Sequence, residues 1–206
     1  MVAEVSSHAL TQYRVDGTWF SGVAFTNLGR EHLDYHGTME QYAAAKGRLF
    51  SPTFTDKAVI VVDDRAGRLQ ADRAAASGLE VVEVSPDDSD PVVERHRVEV
   101  SWRDRRLRIP IGGQFTVANA LVVAELAVLL GVEESAVAET LVTVTPVPGR
   151  FEAVEVAGNL DVIVDYAHTP GALVGLLESC RSTGSGRTIL IFGCGGERDP
   201  GKRPLM

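Results

Sequence analysis

In the stretch EVSSHALTQYR, Glu4 reads as the C-terminal end of an apolar strand, the position at which open α/β sheets hold ligands. A carboxylate there can hold Mg²⁺, which keeps most of its water and needs few protein ligands. Ser6 and Ser7 offer hydroxyls, and Gln12 and Arg14 could grip an anionic or amide-rich substrate, the guanidinium in bidentate fashion. The competing reading is a solvated strand end with local capping. In NLGREHLDYHGTMEQYAAAKGRLF, His32 and His36 lie one helical turn apart with Asp34 between them, but neither a zincin motif nor any zinc spacing is present. Each histidine reads equally as a surface residue or a hydrogen-bonding partner. Lys46 sits in an alanine-rich run. Left in water it is an ordinary helix charge. If buried, its amine loses the proton more readily and can combine with CO₂ to form a carbamate, a hard oxygen ligand suited to Mg²⁺.

Two further stretches lie near the C-terminus. In VDYAHTPGAL, Asp165 ends a strand and His168 precedes a helix start, a turn that holds a ribose or phosphate or simply caps the helix. In GCGGERDPGKRPLM, Gly196, Gly201 and Lys202 have the spacing of a phosphate loop. Such a loop then requires Ser or Thr for Mg²⁺. Arg203 cannot take that role, and Pro204 removes a backbone donor, so the match is expected to be one of spacing only.

The elements that must position these groups alternate. GVAFTNL, KAVIVVDD and LEVVEVS read as buried strands, with helices over TMEQYAAAKGRLF and RLQADRAAASG between them. Thr38 with Gln41 makes a capping box for the first of these helices. VVERHRVEVSW and RRLRIPIGG alternate apolar and polar residues, as antiparallel strands at a sheet edge do. A helix pair, TVANALVVAELAVLLGV and EESAVAETLVTV, follows. TPVPGRFEAVE marks a domain boundary, after which LDVIVDYAH, TPGALVGLLESCRS and RTILIFGCGG open a second β-α-β unit, with Thr169 and Pro170 starting its helix. The fold class expected is α/β with a mainly parallel sheet.

Composition excludes other classes. The formal net charge of -8 disfavours general nucleic-acid binding, and a hydrophobic fraction of 45% suits a globular core. Cys180 and Cys194 form neither a disulfide framework nor a metal pair, so reduced thiols and a cytoplasmic setting are expected. No signal peptide is visible, and no run reaches the ~18–20 apolar residues of a membrane span. Both ends read as cut, which suggests a piece of a longer enzyme.

Taken in order, EVSSHALTQYRVDG, FTNLGREHLDYHGTMEQYAAAK, TVANAL, VPGRFE, VDYAHTP and FGCGGERDPGKRPLM resemble consecutive signatures of the Mur ligases, most nearly the MurE branch. The resemblance runs from Glu4 to the last residue and is weakest from Val59 to Arg108. It implies a P-loop-type central ATPase domain over residues 1–148, without its N-terminal part, and over 149–206 the start of a Rossmann-like C-terminal domain. The family's phosphate loop would lie upstream of this chain, and the Asp-Asn-Pro-Arg signature of meso-diaminopimelate enzymes beyond Met206. The implied reaction is ATP-dependent amide-bond formation in peptidoglycan precursor synthesis. It adds a third amino acid, of the meso-diaminopimelate type, to UDP-MurNAc-L-Ala-D-Glu through an acyl phosphate. The resemblance also implies Mg²⁺ ligation by Glu4, His32 and a carbamylated Lys46, and substrate contacts from Ser6, Gln12 and Arg14. ATP would meet Asn119, Arg150, Asp165, His168 and Lys202, with Arg198 near the phosphates. Gly29, Glu31 and Gly171 depart from the family pattern. Two alternatives stay open: another ligase of the superfamily, such as a folylpolyglutamate synthetase, or a chain that binds without catalysing.

Overall fold

A computed structural model describes residues 1–29, 32–158, 160–184, 186–194 and 201–206. They form two compact units, one of residues 1–86 with 121–137 and the other of 87–120 with 138–206.

The first unit opens with α1 (Ser7–Thr11), β1 (Val23–Phe25), α2 (Leu33–His36), α3 (Met39–Gly47), β2 (Lys57–Val61), α4 (Arg65–Ala76) and β3 (Glu80–Val84). The strands make a parallel sheet in the order β1-β2-β3, with Val23 opposite Ala58 and Ala58 opposite Val81. Ala58, Val59 and Ile60 of the central strand are completely buried. A continuous apolar run is what a strand covered on both faces requires. Leu10, Phe25, Phe50, Phe54 and Leu79 complete this core, each burying apolar side-chain area that stabilises the fold by about 1.5–3 kcal/mol. Local signals set the helix ends. Thr38 Oγ1 accepts from Gln41 N at 3.2 Å, as the capping box predicts, and Asp64 Oδ1 accepts from Gly67 N at 2.7 Å. Helix α4 stops before Gly78, whose φ of +87° suits glycine.

Residues that follow make a short 3₁₀ turn (Pro86–Ser89), β4 (Val92–Val93), β5 (Val98–Trp102), β6 (Arg105–Ile109), α5 (Phe115–Leu129), α6 (Glu134–Leu141), β7 (Glu152–Val154), β8 (Val162–Val164), α7 (Pro170–Thr183) and α8 (Lys202–Leu205). The antiparallel strands β4-β5-β6 form a sheet of their own rather than an edge of the parallel sheet. Trp102 pairs with Arg105, so a two-residue turn closes the β5–β6 hairpin, with Arg103 at φ +55°. Val98, Val100, Trp102, Leu107 and Ile109 are buried, while Glu99 Oε1 accepts from Arg108 Nε at 2.8 Å. Returning to the first unit, Leu126 and Leu130 pack where a Cβ on Gly22 would sit, and Lys57 Nζ donates to Leu129 O at the end of α5, 3.0 Å away.

Three expectations are corrected. Met1–Ser6 forms no strand among the described residues, and only Val5 packs against the core. Strand β8 is real, but it pairs antiparallel with β7, which sequence periodicity does not reveal. Among the described residues 186–194, Ile189–Phe192 has no strand ladder, and Ile191 is 93% exposed. A strand exists through its hydrogen-bonded neighbour, and apolar composition alone does not supply one.

Candidate active site

The substrate-side candidates cluster at α1. Ser6 is its N-cap, with Oγ accepting from Ala9 N at 3.1 Å, so this hydroxyl already anchors the helix. The other end closes by Tyr13 N donating to Leu10 O (3.3 Å) and Arg14 N to Ala9 O (2.9 Å). This is a Schellman arrangement with Tyr13 in the left-handed region, φ +57°. Gln12 and Arg14 flank it and are exposed, and Gln12 Nε2 reaches Tyr35 Oη at 3.5 Å.

Beside them stands an aromatic pile. His32 precedes α2 with φ +56°. The His8 ring meets His32 edge-on at 4.7 Å and Tyr35 at 4.1 Å, and His36 stacks on Tyr42 at 5.2 Å. Tyr42, in α3, is buried. It gathers two candidates: the His32 ring is 6.0 Å from its centroid and Lys46 Nζ is 5.4 Å from it. Lys46 is half-buried. His36 is buried and bonded to Ser7, with His36 Nε2 2.8 Å from Ser7 Oγ. Burial above all, then the neighbouring His8 and His32, lowers its pKa, which Asp34 partly opposes. A neutral His36 is therefore favoured.

Among the described residues no group of three His, Cys, Asp or Glu side chains could hold a metal. A carbamate on Lys46 would add an oxygen donor beside the Tyr42 ring that His32 also meets, while Glu4 is exposed ahead of α1 and is not drawn into that arrangement. Carboxylate and carbamate oxygens are the hard donors that Mg²⁺ takes, with water and phosphate oxygens in its other positions, and the His32 imidazole is the softer member of the proposed set.

The remaining candidates lie in the second unit. Asp165 Oδ2 accepts from Phe151 N and Oδ1 from Ala167 N, both at 2.8 Å, so it braces the turn after Arg150 as well as its own loop. The Arg150 guanidinium lies over Tyr166, 4.9 Å from the ring centroid. His168 Nδ1 is 2.9 Å from Tyr166 O, and Lys202 Nζ donates to His168 O at 3.2 Å. Thr169 Oγ1 caps α7 by accepting from Ala172 N, with Pro170 at the first turn as expected. Arg150, Asp165, His168 and Lys202 are thus brought to one end of α7. Asn119 is exposed on α5. Glu31, Gly196 and Arg198 lie outside the described residues.

The Mur ligase middle domain family matches residues 1–127, and the family described as Mur ligase, glutamate ligase domain, matches 149–206. The chain belongs to the Mur ligases. A UDP-N-acetylmuramoyl-L-alanyl-D-glutamate–2,6-diaminopimelate ligase from Alkalilimnicola ehrlichii is 45% identical over 98% of this chain and 43% of its own length. The ligase of that name from Brucella melitensis is 40% identical over 98% of this chain and 44% of its own length. A solved structure of a ligase with the same name superposes with a TM-score of 0.72 at 32% identity, covering 98% of this chain and 44% of that one. The chain therefore spans less than half the length of these Mur ligases.

Within this Mur ligase frame, sequence reading missed Tyr42 as the shared neighbour of His32 and Lys46, and His8 as the ring against His32. The signal for the former lies in helical spacing: Tyr42, Ala45 and Leu49 fall three and four residues apart and so share one face of α3 and its continuation, with Lys46 four residues after Tyr42. Nothing local announces the latter.

Proposed function

We propose that the protein acts as an ATP-dependent amide ligase of peptidoglycan precursor synthesis, adding meso-diaminopimelate or a similar amino acid to UDP-MurNAc-L-Ala-D-Glu. The observation that carries this is the arrangement of His32 and Lys46 around Tyr42, next to the α1 end that presents Gln12 and Arg14. The names of these related ligases, from Alkalilimnicola ehrlichii and Brucella melitensis, support the substrate. Residues 1–148 would be central-domain polypeptide and 149–206 C-terminal-domain polypeptide.

Chemically, the D-glutamate γ-carboxylate attacks the γ-phosphorus of ATP, ADP leaves, and an acyl phosphate forms. The amine of the incoming amino acid attacks that carbonyl and phosphate departs. Two anions must meet, so the barrier is electrostatic. Arg14 and Gln12 orient the dipeptide, while Ser6 offers its hydroxyl proton. Glu4, His32 and carbamylated Lys46 would hold Mg²⁺, which when bound neutralises phosphate charge. Asn119, Arg150, Asp165, His168 and Lys202 would face ATP. The reading places the reaction in the cytoplasm.

Titrating the 206-residue chain by ¹⁵N NMR separates substrate classes. UDP-MurNAc-L-Ala-D-Glu is expected to shift the amides of Gln12, Arg14 and His32, and a folate monoglutamate to leave them in place. Shifts from the folate alone, or from neither, would overturn the substrate assignment. Phosphate release with ATP, dipeptide and diaminopimelate then distinguishes turnover from binding.

A further inference from the structure

Tyr13 occupies a left-handed position where glycine is the usual residue, at φ +57°. A bulky side chain there raises the backbone energy by roughly 1–2 kcal/mol. It is also 66% exposed, so core packing does not hold it in place. What it touches is Arg48, just beyond α3. The Arg48 guanidinium lies over the Tyr13 ring, 4.4 Å from the centroid. The same guanidinium donates from Nη1 to Leu10 O and approaches Asp16 Oδ1 from Nη2 at 3.5 Å. One side chain thus ties together the end of α1, the left-handed residue and the turn that follows.

We propose that Arg48 and Tyr13 form a clamp that positions Gln12 and Arg14 for the substrate. Gln12 and Arg14 immediately flank the clamped residue, and the clamp's other end follows Lys46 by two positions on the chain. It therefore fixes the substrate-gripping segment relative to the helix that carries the candidate metal-supporting lysine. The inference rests on the substrate reading of Gln12 and Arg14 given above. Arg48 and Tyr13 are positioning residues; neither is assigned contact with reacting atoms.

Tyr13→Gly separates positioning from folding, because glycine suits the left-handed backbone but removes the ring. Its melting temperature is expected to stay within a few degrees of wild type, while affinity for UDP-MurNAc-L-Ala-D-Glu falls roughly three- to fivefold, the size of an exposed cation–π contact. Tyr13→Phe keeps the ring and is expected to bind like wild type. Arg48→Met, which also loses the bond to Leu10 O, should weaken binding about tenfold or more, and adding Tyr13→Gly to it should cause little further loss. Tyr13→Gly binding as tightly as wild type would overturn the proposal. Hydrogen exchange at the Arg14 amide, which donates to Ala9 O, judges the clamp without any ligand. Faster exchange in Arg48→Met, with no further increase in the double variant, supports it; unchanged exchange removes it. Absence of dipeptide binding by the wild type would sink the substrate reading and leave the exchange result to decide the clamp.

Discussion

Ser7 Oγ and His36 Nε2 lie 2.8 Å apart, and both residues are buried. This bond joins α1 to α2, so it holds the segment bearing Ser6, Gln12 and Arg14 against the one that begins at His32. Ser7→Ala leaves a buried imidazole nitrogen without that partner, at a cost of about 1–3 kcal/mol. At this chain length that corresponds to a melting temperature lower by about 2–4 °C per kcal/mol. Replacing both partners, Ser7→Ala with His36→Phe, removes the stranded polar atom and should recover part of the loss. Urea unfolding of the single and double variants checks this. A Ser7→Ala protein as stable as wild type would show that the bond contributes nothing net.

Gly67 tests the seating of α4. A Cβ built there falls 1.9 Å from Val61 O, a backbone atom that cannot swing aside. Alanine would normally favour a helix over glycine by about 1 kcal/mol. Here the overlap wins, and Gly67→Ala is expected to destabilise the first unit by about 1–3 kcal/mol or more. Chemical denaturation with circular dichroism gives the sign directly; a stabilised Gly67→Ala protein contradicts the close approach.

The contrast between these sites shows what a sequence encodes visibly. Thr38 with Gln41, Thr169 with Pro170, and the apolar run of β2 are local patterns, and each forms the element its neighbours predict. The Arg103–Asp104 hairpin turn was likewise implied by alternation on both sides. Ser7 and His36 are 29 residues apart, and no periodicity links them. Tyr13 is harder still, because a tyrosine does not advertise a left-handed backbone as a glycine does. The candidate site residues were proposed from motif order, while their geometry depends on helix-to-helix packing that only the structure supplies. Ile189–Phe192 marks the opposite limit, where strong apolar composition yields no ladder among the described residues.

Cys180, in α7, gives a pH prediction. Burial raises the pKa of its thiol; Arg95 pulls it down and Asp165 pushes it further up. The thiolate is the nucleophile, so at pH 8 less of it is present than in the unfolded chain, and alkylation should be slower. The folded thiol keeps its proton to higher pH than the unfolded one. Its contribution to stability is therefore complete below the unfolded value and is lost as pH rises through the folded one. Iodoacetamide rates across pH 7–10 in a Cys194→Ser background, folded and in urea, test this. Equal folded and unfolded rates at pH 8 would contradict it.

Lys46 carries the chemical prediction most specific to the proposed function. Its amine lies 5.4 Å from the Tyr42 centroid, and the residue as a whole is half-buried. Attack of the neutral amine on CO₂ forms an N–C bond and releases a proton to solvent, leaving a carbamate anion in place of a cation. With ¹³C-bicarbonate and Mg²⁺, a carbamate carbon resonance is expected from the wild-type chain and should be absent in Lys46→Ala. Tyr42→Ala, which removes the shared neighbour of Lys46 and His32, should weaken that resonance without abolishing it. In a ligase that turns over, Lys46→Ala should lower activity about 10–100-fold, with partial recovery when a short carboxylate is added. A wild-type resonance that survives in Lys46→Ala would assign the carbamate to another amine, and undiminished activity would remove Lys46 from the site.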